Sequence, residues 1–198
     1  MKILIYFKHL TSPFLFITSL LLMVSCGQTP TPKPRGYFRI DFPAKEYRLL
    51  DSIFPFTFEY PVYARIVKDI HAPNETNWIN VDFPRFKGRV HLSYKAVNQN
   101  LANYTEDAHS LVMKHIPKAS AIEEIRLENR DNHVFGLVYD IKGTGAASPY
   151  QFYVTDSTAH FLRGALYFSA IPNNDSLAPV IEFIKSDIQY MLETMKWK

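Results

Sequence analysis

Cysteine is almost missing from this sequence: Cys26 is the one example in 198 residues. A lone thiol cannot close an internal disulfide, and it leaves no cysteine pair for a zinc site. Glycine is scarce at 7 residues, which excludes glycine-repeat architectures. Neither sign of charge prevails, with 22 Lys and Arg against 19 Asp and Glu. The basic excess of a general nucleic-acid binder is lacking, so no nucleic-acid partner is expected. A membrane-spanning run is lacking as well. The apolar stretch Phe14–Val24 is shorter than the roughly 20 residues needed to cross a bilayer.

What is present begins with a targeting signal. Lys2 and Lys8 give a positive start, the apolar run follows, and small Ser25 precedes Cys26 and Gly27. An h-region of about 7–15 residues is the length a secretory signal uses. Small residue, cysteine, small residue after such a run resembles the lipobox of bacterial lipoproteins, with Met23 where leucine is commonest. The expectation is cleavage after residue 25, a diacylglycerol on the Cys26 sulfur and a further acyl chain on the freed amine. Each buried methylene adds about 0.8 kcal/mol, so several chains anchor firmly. Gly27 is not the aspartate that commonly retains lipoproteins at the inner membrane, and no acidic cluster follows Cys26. The expected place is therefore the periplasmic face of the outer membrane. Without Lys2 and Lys8 the 22 basic residues become 20, against 19 acidic, so the mature chain is nearly neutral.

Residues 26–36 read as a lipidated tether. Thr29-Pro30-Thr31-Pro32-Lys33-Pro34 favours polyproline II at about 3.1 Å per residue. A spacer between lipid and domain is the simpler reading; a proline-rich ligand for a partner groove is the other.

Residues 37–198 read as one folded domain, since 47% hydrophobic and 21% charged residues suit a packed core. Apolar residues alternate at period two in Phe54, Phe56 and Phe58; in Ile79, Val81 and Phe83; and in Val90, Leu92 and Tyr94. The same pattern returns in Ile125 and Leu127, in Phe135 to Ile141, in Tyr150 to Val154 and in Leu162 to Phe168. Each predicts a half-buried strand. Turns are predicted at Asp131-Asn132, Gly143-Thr144-Gly145 and Asp156-Ser157-Thr158. Two segments carry helical spacing: one between Asn98 and Ile116, ended by Pro117, and one from Leu177 to Met195, with Asp175 as N-cap and Pro179 in the first turn. Hairpins imply antiparallel pairing, and amphipathic helices must cover the sheet. The expected fold is α+β, an antiparallel sheet flanked by two amphipathic helices. The element order resembles the PsbP-like α/β/α sandwich, a likeness of fold that implies nothing about function.

No catalytic motif emerges. The seven histidines include no His-Glu-x-x-His, and no Gly-x-Ser-x-Gly occurs. Gly143-Thr144-Gly145-Ala146-Ala147-Ser148 lacks the Gly-Lys-Ser/Thr ending of a phosphate loop and leads into a strand. Glu123 and Glu124 are adjacent, so on a strand they face opposite ways; with Asp140 they are carboxylates by residue type only. The expectation is no enzyme, no cofactor and no metal. Two polar sets are candidate contact surfaces. The first is Arg35, Tyr37, Arg39 and Asp41, on a strand whose other face carries Phe38, Ile40 and Phe42. The second is Asp156, His160 and Arg163 around one hairpin. Arginine and tyrosine are enriched where proteins meet, and loops often carry function. Solvated edge and local turn stabilisation are the plainer readings of these sets.

The block Pro34-Arg35-Gly36-Tyr37-Phe38-Arg39-Ile40-Asp41-Phe42-Pro43, just beyond the cysteine, resembles the gliding motility lipoprotein GldD family of Bacteroidota. Phe135 to Gly143, Gln151 to Ser157, His160 to Phe168 and Pro172 to Leu177 continue the likeness in order, and it is weakest between Ala96 and Asn129. The resemblance implies a role in gliding motility, a process tied to type IX protein secretion, with partners among other envelope proteins and the membrane met through the N-terminal lipid. It implies no catalytic residues; only the lipidated cysteine carries over, to Cys26. Competing readings are a periplasmic small-ligand or lipid-binding module, with aromatics lining a pocket, and an envelope hydrolase.

Overall fold

Alternating apolar residues pair into a seven-stranded antiparallel sheet in the computed structural model, which describes residues 36, 39–51 and 53–198. The strands are β1 (Tyr47–Leu49), β2 (Phe56–Thr57), β3 (Glu59–Pro61), β4 (Arg65–Lys68), β5 (Ile79–Phe83) and β6 (Gly88–Ala96). Helix α1 (Leu101–Met113) follows, then β7 (Ala121–Asn129), β8 (Val134–Lys142), β9 (Tyr150–Thr155) and β10 (His160–Phe168). Helix α2 (Asn174–Glu193) and β11 (Lys196–Trp197) end the chain. The large sheet runs β4-β5-β6-β10-β9-β8-β7, while β1 pairs with β3 and β11 with β2.

Each face of the sheet buries one helix. Val90, Leu92, Phe152, Leu162 and Leu166 pack with Ile184, Ile188, Met191 and Leu192 of α2 in the larger core. Tyr139 and Ile141, one step out of phase, pack with Val112 of α1 on the other side. This is the expected α+β arrangement, and the sequence periodicity explains it: residues i and i+2 of a strand share a face. Gly164 is required at the centre. A Cβ there would lie 2.1 Å from Cζ of the buried Phe152. Gly143, at φ +131°, turns the chain between β8 and β9 in a conformation open chiefly to glycine.

Several boundaries differ from the sequence reading. Arg39–Asp41 is not a strand, because no neighbouring strand supplies a ladder, although Ile40 still packs on the core. Of the Phe54–Phe58 run only Phe56–Thr57 forms a strand, β2, which pairs near the C-terminus; β3 begins just beyond the run and pairs with β1. Helix α1 stops at Met113, and Pro117 sits in a separate 3₁₀ turn, Ile116–Lys118. The N-cap of α2 is Asn173, whose side chain accepts from the Ser176 N–H, not Asp175; Pro179 lies inside the helix. Strands β4 and β11 carried no period-two signal long enough to read.

Candidate functional site

Residues 42–47 are fastened to α2 around a buried carboxylate. Asp187 has a side chain only 1% exposed, yet it is held by three donors. Lys45 Nζ lies 2.5 Å from Oδ1, the Tyr47 hydroxyl 3.0 Å from the same oxygen, and the Tyr63 hydroxyl 2.7 Å from Oδ2. Burial, followed by the hydrogen bond to Asp187, pushes both tyrosine hydroxyls far above their usual range, so they remain protonated donors. Lys45 also donates to the Phe183 carbonyl and the Ser186 hydroxyl, and it sits 3.6 Å above the Phe183 ring. Phe42 stacks on the same ring at 4.4 Å, and Tyr47 stacks on Tyr190 at 4.0 Å.

Arg39 and Asp41 project from this clamped segment. Their side chains are 93% and 77% exposed and lie 3.4 Å apart. An ion pair so exposed contributes about 0–1 kcal/mol, so either group can exchange its neighbour for another at little cost. Arg35, Tyr37 and Cys26 lie outside the described residues.

The second candidate set does not converge. Asp156 accepts hydrogen bonds from the backbone N–H groups of Thr158, Ala159 and His160 and from the Thr158 hydroxyl. Burial opposes ionisation, but these four donors prevail and pull its pKa down to about 2. Its geometry is that of a turn anchor. His160 shares the α2 face of β10: Nδ1 is 2.8 Å from the Tyr94 hydroxyl, and the ring stacks on Trp197 at 5.1 Å. Arg163 lies on the α1 face, where it donates to Gln151 Oε1 at 2.6 Å and burial lowers its pKa. Residues three apart on a strand face opposite ways, a signal the sequence already held.

Other groups with chemical capacity are tied up in the framework. Asp140 accepts from Lys185 and Lys142, each at 2.7 Å, and Lys185 is itself buried. Desolvation opposes ionisation of Asp140, but these two lysines win and lower its pKa. The pair links sheet to helix, which the sequence could not show across 45 positions. Among the described residues no group of three or more His, Cys, Asp or Glu could hold a metal ion. None of the described helices is long and apolar enough to cross a membrane. The gap between α2 and the sheet beside Tyr60 and Phe83 measures about 10 Å³, whereas two open surface grooves, one of about 320 Å³ beside Leu127, Arg130 and Glu193 and one of about 360 Å³ beside Met113, Ile116 and Ile122, reach the roughly 300 Å³ of a small-molecule site.

The result is an α+β domain with a helix on each sheet face and its accessible polar groups at the surface, notably where the N-terminal segment meets α2. The family model for the gliding motility lipoprotein GldD matches residues 27–197, and the chain belongs to that family. No curated protein matches it. The solution structure of cyanobacterial PsbP (CyanoP) from Synechocystis sp. PCC 6803 is similar over 84% of this chain and 100% of that one, at 10% identity and a TM-score of 0.48.

Proposed function

We propose that this chain is a lipid-anchored accessory protein of the cell envelope that serves gliding motility, with a link to type IX protein secretion, through protein–protein contact rather than catalysis. The precursor is cut before Cys26, lipidated there and held by residues 26–36 at the periplasmic face of the outer membrane. Residues 37–198 then act as the contact domain. Membership of a gliding motility lipoprotein family supports this reading.

The observation that carries the contact role is the Arg39–Asp41 pair. It is almost fully exposed, yet it rises from a segment locked down by Phe42 and Lys45. A rigid base beneath an exposed ion pair lowers the entropy a partner must remove on docking. Envelope proteins of the gliding and secretion machinery are the partners proposed. In cells, Arg39→Ala is expected to reduce gliding or secretion while the protein level stays unchanged. Normal gliding and secretion in that variant would remove this site.

A further inference from the structure

Strand β7 ends the large sheet, and among the described residues no strand lies beyond it. It is nine residues long, whereas β4 at the opposite edge has four. Its residues are mostly exposed, including the apolar Ile125 at 47%. Long open edges of this kind are templates for another strand unless they are shortened, bent, covered or charged, and β7 carries Glu123, Glu124, Arg126 and Glu128, so a partner must match charges of both signs.

Ile141 of β8 donates to Pro149, toward the β9 side. Strand N–H groups alternate in direction, and β8 keeps an unbroken register with both β7 and β9. Val138, therefore, faces β7 and bonds to Ile125. The N–H and C=O groups of Ile122, Glu124, Arg126 and Glu128 consequently point out of the sheet. These four are placed symmetrically about Ile125, the midpoint of the strand.

We propose that β7 is where a second copy of this chain pairs, antiparallel, across a two-fold axis at Ile125. In that register all nine residues find a partner. Glu124 of each copy lies opposite Arg126 of the other, giving two opposite-charge pairs, and the exposed Ile125 side chains meet on the axis. Shifting the axis by one residue puts Glu124 against itself or Arg126 against itself, which like charges disfavour. Moving it to Leu127 leaves only residues 125–129 of the strand paired. An axis at Leu127 would also oppose Arg126 to Glu128, but over a stretch of only five strand residues, so charge order and paired length together favour Ile125. This inference rests on β7 alone and does not depend on the contact role of Arg39.

Cysteine crosslinking in the full chain tests it. At the axis, facing residues form a non-hydrogen-bonded pair about 4.5 Å apart between Cα atoms, within disulfide reach. Ile125→Cys, in membranes treated with a thiol oxidant, should yield a disulfide-linked dimer of this chain above the background of the parent, which has only Cys26. Glu123→Cys, exposed on the same face, lies about 13 Å from its own copy and should give none. Adding Arg126→Glu to Ile125→Cys should abolish the dimer, and adding Glu124→Arg as well should restore it. Circular dichroism of each variant checks that the exposed substitutions leave the fold intact. No dimer from Ile125→Cys would overturn the proposal, as would equal crosslinking from Glu123→Cys or failure of the charge swap. A crosslinked product of another mass would also overturn it and would identify a different protein's strand as the occupant.

Discussion

Removing the Lys45 ammonium should destabilise the domain through the charge it leaves behind. Lys45→Met keeps most of the stem but leaves the Asp187 carboxylate, 1% exposed, with two neutral tyrosine donors. Breaking a buried ion pair from one side costs about 3–5 kcal/mol. Lys45 is 31% exposed and both tyrosines remain, so about 2–3 kcal/mol is the reasonable share here. Loss of the cation above Phe183 adds about 0.5–1 kcal/mol. For a domain of this size, about 3 kcal/mol lowers Tm by about 6–12 °C. Asp187→Leu alone strands the Lys45 ammonium, which can turn to water, and leaves the Tyr47 and Tyr63 hydroxyls without their acceptor, so it should cost about as much. The pair Lys45→Met with Asp187→Leu leaves no buried charge, so its cost should fall below the sum of the singles by more than about 1 kcal/mol. Urea unfolding followed by near-UV circular dichroism gives all three values. A cost for Lys45→Met under about 0.5 kcal/mol, or strict additivity in the double variant, would refute the reasoning.

Gly164→Ala should cost at least about 2 kcal/mol, because the new methyl meets the fully packed Phe152 ring; thermal unfolding measures it. Asp156→Ala should cost about 1–2 kcal/mol at neutral pH from lost turn hydrogen bonds. The folded Asp156 carboxyl has its pKa lowered from 3.8 to about 2, so its contribution is complete above about pH 4 and is lost as pH falls toward about 2. The stability gap between parent and Asp156→Ala should therefore close across that window in a pH series of unfolding curves. Trp197→Ala removes the stack on His160 and the hydrogen bond to the His133 carbonyl. It should raise the proteolytic susceptibility of the C-terminal residues before that of the sheet, as limited proteolysis would report.

Strands with strict alternation were legible in the sequence because burial of one face dictates that pattern. Ile79, Val81 and Phe83 mark the span of β5, and Asp156-Ser157-Thr158 occupies the observed turn between β9 and β10. Short strands were not legible. β2 and β11 hold two residues each and exist because residues 196–197 return to residues 56–57, Lys196 opposite Thr57. The segment Arg39–Phe42 alternates like a strand but docks by ring stacking instead, since the ladder that defines a strand must come from elsewhere in the chain. The site was legible only in part. Arg39 and Asp41 stood out by residue type, while their foundation, Lys45 on Asp187, joins positions 142 apart and leaves no local trace. His160 and Arg163 stand three apart on β10, so period two places them on opposite faces of the sheet.

The proposed lipid on the Cys26 sulfur would decide what this domain can reach, so the most direct measurement is the mass of the N-terminal peptide from protein purified out of its own cell membranes. The account predicts a chain that starts at Cys26 and carries acyl groups on the sulfur and the amine. A peptide that still holds residues 1–25, or a Cys26 thiol without fatty acid, would contradict it.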